Sequence, residues 1–133
     1  MVAGKAQDDA IRLLIVDDNH DVTQALSRAL GGGNYQVETA NDGLAAIERA
    51  VQFRPQVVLL DLMLPVLSGW DVARTLRRVP LFAGPRLIAL SAFGSEQHRA
   101  ASLAAGFEQH LLKPIGITKL KEILDHDPRS PSP

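Results

Sequence analysis

The sequence predicts an α/β domain of the (βα)5 type, doubly wound, with a parallel sheet and helices on both faces. Three observations carry this. Short apolar runs alternate strictly with helical patterns, the runs are rich in β-branched residues, and most of them stop at a polar residue. The runs are Leu13–Val16, the weaker Tyr35–Thr39, Val57–Leu60, Leu87–Leu90 and His110–Leu112. Between them lie helical stripes. Val22, Ala25, Leu26, Ala29 and Leu30 mark the first, which the glycines at 31–33 can close through a left-handed cap. Leu44, Ile47 and Val51 mark the second. Val72, Leu76 and Val79 mark the third, with Ser68 as N-cap and Pro80 as stop. Ala100, Leu103 and Ala104 mark the fourth, opened by Ser95 and closed by Gly106, and Leu120, Ile123 and Leu124 mark the fifth. Right-handed crossovers between parallel strands place such helices on both faces.

At 133 residues the chain suits one domain, expected over residues 11–125, with a polar lead-in at 1–10 and a disordered tail at 126–133. No repeat, second domain or helix-turn-helix output module is expected. A net charge of −1 argues against direct nucleic-acid binding or attraction to anionic lipid. With no cysteine there is no disulfide and no thiolate metal site. The apolar runs are too short to cross a bilayer, so a cytoplasmic location is expected.

"RLLIVDDN" (12–19) runs four apolar residues into two adjacent carboxylates, Asp17 and Asp18. At about 4 Å two such charges repel by roughly 4 kcal/mol at an effective dielectric near 20, so something must neutralise them. In sheets of this kind ligands bind beyond the carboxyl ends of the strands. The residues that end the runs there are Asp17 and Asp18, Asp61, Ser91 and Lys113. Singly, each is a polar residue where a chain surfaces. Jointly they offer oxygen ligands for a hard divalent cation and two donors for an anion, and Mg²⁺ (or Mn²⁺) suits the set. Rival motifs fail. "DDNHDV" lacks the glycine and the closing glutamate of a calcium loop, with Val22 and Arg28 in those positions, and "GGGNYQ" is not followed by the Lys-Ser/Thr of a phosphate loop.

"LLIVDDN" (13–19), "VVLLDLMLPVLSGWDV" (57–72), "LIALSA" (87–92) and "AAGFEQHLLKP" (104–114), in this order and spacing, resemble the CheY-like receiver domains of response regulators. The resemblance implies a flavodoxin-like sheet of order 2-1-3-4-5. It implies that Asp61 is the phosphoacceptor, loaded by a histidine kinase or histidine phosphotransfer protein, and that a downstream protein partner reads the result. Asp17, Asp18, Asp61 and the backbone carbonyl of Met63 match the family's metal site, Ser91 its switch hydroxyl, Lys113 its phosphoryl-pairing cation, and Pro114 its cis proline. Pro65 and Gly69 suit the turn and close approach after the acceptor strand. His110 departs from the family's usual Tyr or Phe, which makes the chain most similar to receivers of hybrid sensor histidine kinases and puts His110 on the expected switch and partner face. The same resemblance implies a protein that catalyses only its own phosphorylation and dephosphorylation. Two alternatives stand beside it: a degenerate receiver that only binds protein, and a small aspartyl-phosphate phosphatase of the haloacid dehalogenase type. The phosphatase family places a second acid two residues after its nucleophile, where this chain has Met63.

Overall fold

A computed structural model describes residues 10–79 and 84–126. The elements alternate throughout: β1 (Ile11–Val16), α1 (His20–Leu30), β2 (Tyr35–Ala40), α2 (Gly43–Phe53), β3 (Val57–Asp61), α3 (Gly69–Arg78), β4 (Arg86–Ser91), α4 (Glu96–Ala105), β5 (Gln109–Leu112) and α5 (Ile117–Asp125). The sheet is parallel, in the order β2-β1-β3-β4-β5. This is the expected doubly wound (βα)5 fold.

Alternation along each central strand divides the core into two layers, because successive side chains leave a strand on opposite faces. Leu14, Val16, Val58, Leu60, Leu87 and Ala89 pack under α2, α3 and α4 with Ala46, Ala50, Val72, Leu76 and Ala105. Leu13, Ile15, Val57, Leu59, Ile88 and Leu90 face α1 and α5, meeting Leu30, Leu120 and Leu124. Strands buried on both faces read as continuous apolar runs, which is why their length and β-branched content, not alternation, identified them.

The helices are where the expected faces shift. In α2 the buried residues are Gly43, Ala46, Ala50 and Phe53, whereas Leu44 and Val51 of the expected stripe are exposed. In α4 the expected Ala100, Leu103 and Ala104 are exposed, and Ser102 and Ala105 face inward. In both helices small side chains let the backbone approach the sheet, leaving Leu44, Val51 and Leu103 outside, while Phe53 at the end of α2 is buried. Ala25 of the first stripe is likewise exposed.

Caps follow the sequence more closely. Ser68 and Ser95 accept from Asp71 N and His98 N, and Gly106 closes α4 with φ of 102°. The cap after α1 differs from expectation, since Gly31 is extended (φ −71°) and the positive φ values fall on Gly32 and Gly33. The expected stop at Pro80 lies outside the described residues, as do the lead-in at 1–9 and the tail at 127–133. Ala10, placed in the lead-in by sequence, is buried.

Candidate functional site: a carboxylate cluster at the strand ends

Because all five strands are parallel, their carboxyl ends share one edge, and β1, β3 and β5 deliver charge to it. Asp17 follows β1 directly and is buried, while Asp18, one residue further on, is exposed. Asn19 shapes the turn between them and α1. Its side-chain oxygen caps the helix by accepting from Asp21 N and Val22 N, and its own N–H donates to Asp17 Oδ1 at 2.9 Å. The spacing that imitates a calcium loop is therefore a helix cap. Asn41, just past β2, donates from Nδ2 to the Asp17 carbonyl at 2.8 Å and to Thr23 Oγ1 at 3.1 Å, fixing the backbone under the first carboxylate.

Asp61 ends β3 and is buried, and its Oδ1 accepts from Met63 N at 3.0 Å. Gly69 closes the loop behind it: its N–H donates to Leu62 O at 2.9 Å, and a Cβ there would lie 2.7 Å from Leu62 Cα. Only glycine allows this approach. Lys113, at the end of β5, places Nζ 2.7 Å from Asp17 Oδ2 and 3.2 Å from Asp61 Oδ2. The Lys113–Pro114 peptide is cis, as the sequence led us to expect.

Carboxylate oxygens of Asp17, Asp18 and Asp61 all lie within 4.8 Å of one another. The electrostatic consequences are visible in the flanking groups. Desolvation pushes the Asp18 carboxyl above its ordinary value, and the charges of Asp17 and Asp61 push the same way. Burial would lower the Lys113 ammonium, but its hydrogen bond to Asp17 and the charges of Asp61 and Asp17 outweigh that and raise it. Three carboxylates against one ammonium leave an excess of two negative charges. The donor set is all oxygen, two of its members are buried and one is open to solvent, so the residues fit a small hard dication that keeps several waters.

Ser91 ends β4, buried, and its Oγ accepts from Phe93 N at 3.0 Å. Met63 is half exposed on the loop after Asp61. His110 is buried in β5, with Nδ1 2.7 Å from Ser102 Oγ and Nε2 2.6 Å from the Phe93 carbonyl. The Phe93 ring stacks on His98 of α4. Sequence reasoning missed Asn41. The rule that found the acids (inspect the residue that ends each apolar run) reaches Ala40 when applied to the second run, Tyr35–Thr39, and stops one residue short of Asn41.

Comparison with known proteins agrees with this geometry. Residues 13–125 match the family described as the response regulator receiver domain. The response regulator MprA of Mycobacterium leprae (strain TN) is 39% identical over 112 residues, covering 83% of this chain and 47% of its own length. The chain thus spans about half the length of the curated relatives it matches. Among solved structures, the Vibrio cholerae chemotaxis protein CheY4 superposes with a TM-score of 0.82 at 28% identity, covering 87% of this chain and 97% of that one. The receiver domain of the Pseudomonas aeruginosa PAO1 sensor histidine kinase PA1611, solved with magnesium in its active-site cleft, gives a TM-score of 0.75 at 33% identity, over 87% and 95% of the two chains. Among the described residues no helix is long and apolar enough to cross a membrane. With its fold, its acidic cluster and its matched motifs in register, this chain belongs to the receiver domain family of two-component response regulators.

Proposed function

We propose that Asp61 accepts a phosphoryl group from a phosphohistidine, carried by a histidine kinase or a histidine phosphotransfer protein, and that the resulting acyl phosphate switches the binding of a downstream protein. An Asp61 carboxylate oxygen attacks phosphorus, the P–N bond to the donor imidazole breaks, and the imidazole leaves with the electron pair. The observation that carries this reading is the Lys113 ammonium lying within hydrogen-bond reach of both Asp17 and Asp61, beside the third carboxylate. A group built this way suits phosphoryl transfer, which depends mostly on positioning and on neutralising charge.

Asp17, Asp18, Asp61 and the Met63 carbonyl are the residues that would hold Mg²⁺, or Mn²⁺ in its place. When bound, the ion supplies neutralisation of the phosphoryl oxygens and of the acids themselves. Lys113 pairs with a phosphoryl oxygen once Asp61 is phosphorylated, since that oxygen then carries the charge. Ser91 donates its hydroxyl to the same group. The chain catalyses only its own loading and unloading, and a cytoplasmic setting goes with a cysteine-free chain.

The test is intact mass after incubation with Mg²⁺ and a small phosphodonor such as phosphoramidate. A single phosphoryl addition is expected, lost on chelation and absent in Asp61→Asn. Full labelling of Asp61→Asn would overturn the assignment.

A further inference from the structure

We infer that Asn41 is a positioning residue for the cation site: braced by Thr23, it holds the peptide that joins Asp17 to Asp18 and so sets the affinity of the acid cluster for Mg²⁺. The inference rests on the reading of Asp17, Asp18 and Asp61 as cation ligands.

The sheet ladder runs out where the acids begin. β1 and β2 pair in register as far as Val16 and Ala40, and a last ladder bond runs from Asp17 N to the Ala40 carbonyl at 3.2 Å. The next acceptor, the Asp17 carbonyl, is met by a side chain instead, with Asn41 Nδ2 donating to it at 2.8 Å. A carbonyl can only accept, so the amide nitrogen faces it, and Oδ1 is left facing His20 Nδ1 at 3.4 Å. The second Nδ2 proton goes to Thr23 Oγ1 at 3.1 Å, and that hydroxyl donates its own proton to the His20 carbonyl at 3.0 Å. Thr23 is fully buried in the first turn of α1. One amide group therefore ties together the end of β1, the end of β2 and the start of α1.

The carbonyl so held belongs to the peptide plane between the two acids. The Asp17 carboxylate has further restraints, from Asn19 N at 2.9 Å and Lys113 Nζ at 2.7 Å. Asp61 has its own, from Met63 N at 3.0 Å and Lys113 Nζ at 3.2 Å. Asp18 is exposed and lies one residue past the ladder, so the orientation of the plane before it decides where its carboxylate can reach. A rotation of that plane would carry Asp18 away from the other two acids, whose oxygens lie within 4.8 Å of its own. A small dication that demands near-ideal geometry tolerates such a displacement poorly. Groups that orient ligands without touching the ion typically change its affinity by about 10- to 100-fold. Asn41 acts on the ion only through the plane it holds.

Calorimetric titration of the full chain with Mg²⁺, beside urea unfolding in chelator, tests this. Asn41→Ala is expected to raise Kd by about tenfold, while Asp18→Asn, the control, abolishes binding. Thr23 separates positioning from packing, because Thr23→Val keeps the volume and loses the hydroxyl, whereas Thr23→Ser keeps the hydroxyl and leaves a hole. Kd is expected to rise in Thr23→Val and to stay at the wild-type value in Thr23→Ser, whatever either does to metal-free stability. Adding Thr23→Val to Asn41→Ala should raise Kd no further, since both act through one set of bonds. A wild-type Kd in Asn41→Ala or in Thr23→Val would overturn the inference, and so would a Kd that rises in Thr23→Ser instead. Should Asn41→Ala fail to fold, the Thr23 pair decides alone. If wild type itself takes up no Mg²⁺, the reading of the acids as cation ligands falls, and this inference falls with it.

Discussion

Replacing Asp18 by asparagine should stabilise the metal-free protein and abolish its response to Mg²⁺. The carboxylate oxygens of Asp17, Asp18 and Asp61 lie within 4.8 Å, where each like-charged pair costs at least about 3.5 kcal/mol at an effective dielectric of 20 and about 0.9 kcal/mol in bulk water. Asp18 is exposed, so the water-like figure applies, and solvent screening takes it lower still. Two neighbours then repel it by about 2 kcal/mol together, and the Lys113 ammonium and counterions take part of that back, leaving about 1 kcal/mol. For a chain of this size that is a rise of about 4 °C in Tm. The sign with pH follows from the raised Asp18 carboxyl. A group that is harder to ionise in the folded state costs stability above its folded value, and the cost fades as pH falls through that value toward the ordinary carboxylate value of about 3.9. The advantage of Asp18→Asn is therefore largest near neutrality and fades in acid. With the proposed metal site, the order is expected to reverse in Mg²⁺, since wild type would gain about 2.7 kcal/mol at a hundredfold excess over Kd, while the variant would lack one of the proposed ligands. Urea unfolding of both chains, in chelator and in Mg²⁺, at neutral and acid pH, measures all of this. A metal-free Asp18→Asn less stable than wild type, or equal gains from Mg²⁺ in both, would refute the reasoning.

Two stability predictions concern residues outside the cluster. Val66 is fully exposed and β-branched, yet has φ of 68°, in a tight turn closed by Leu67 N donating to the Pro65 carbonyl. Val66→Gly should stabilise the chain by about 1 kcal/mol in thermal or urea unfolding, because the left-handed strain is relieved and no contact is lost. Arg86 is buried at the start of β4, pairs with Glu108 at 2.7 Å, and donates to the carbonyls of Ile123, Leu124 and His126 at the end of α5. Arg86→Met should cost about 3–5 kcal/mol in urea unfolding and speed amide exchange in the last turn of α5, since it leaves a carboxylate and three carbonyls without their donor.

The site was legible in the sequence because topology does the sorting. In a parallel sheet, whatever ends an apolar run lies at the same edge as whatever ends the others, so Asp17, Asp61, Ser91 and Lys113 could be grouped without knowing a single contact. The helix faces were less legible because the stripe rule favours bulk. Ala46, Ala50 and Ala105 present little side chain, and they were chosen for the close approach of α2 and α4 to the sheet. Short-range capping, by contrast, depends on a few consecutive residues, and Ser68, Ser95 and Gly106 act where their spacing placed them.

His110 marks the limit of that kind of reading. From sequence it could equally be a packed ring or part of a partner face, because the ring offers both an apolar body and two polar atoms. What decides its setting is a serine eight residues earlier in α4, a carbonyl in the loop after β4 and an indole at the start of α3. None of these pairings is implied by local pattern, since each crosses between elements whose relative placement only the folded sheet supplies. The acids could be inferred from where strands end. The hydrogen bonds of His110 could not, because they depend on which way three side chains turn and where one backbone carbonyl lies. A histidine there is buried with both ring nitrogens bonded. An unsatisfied nitrogen in that position would cost about 1–3 kcal/mol, enough to expel the ring. The position thus couples burial to an intact hydrogen-bond chain, a condition an apolar aromatic ring does not impose.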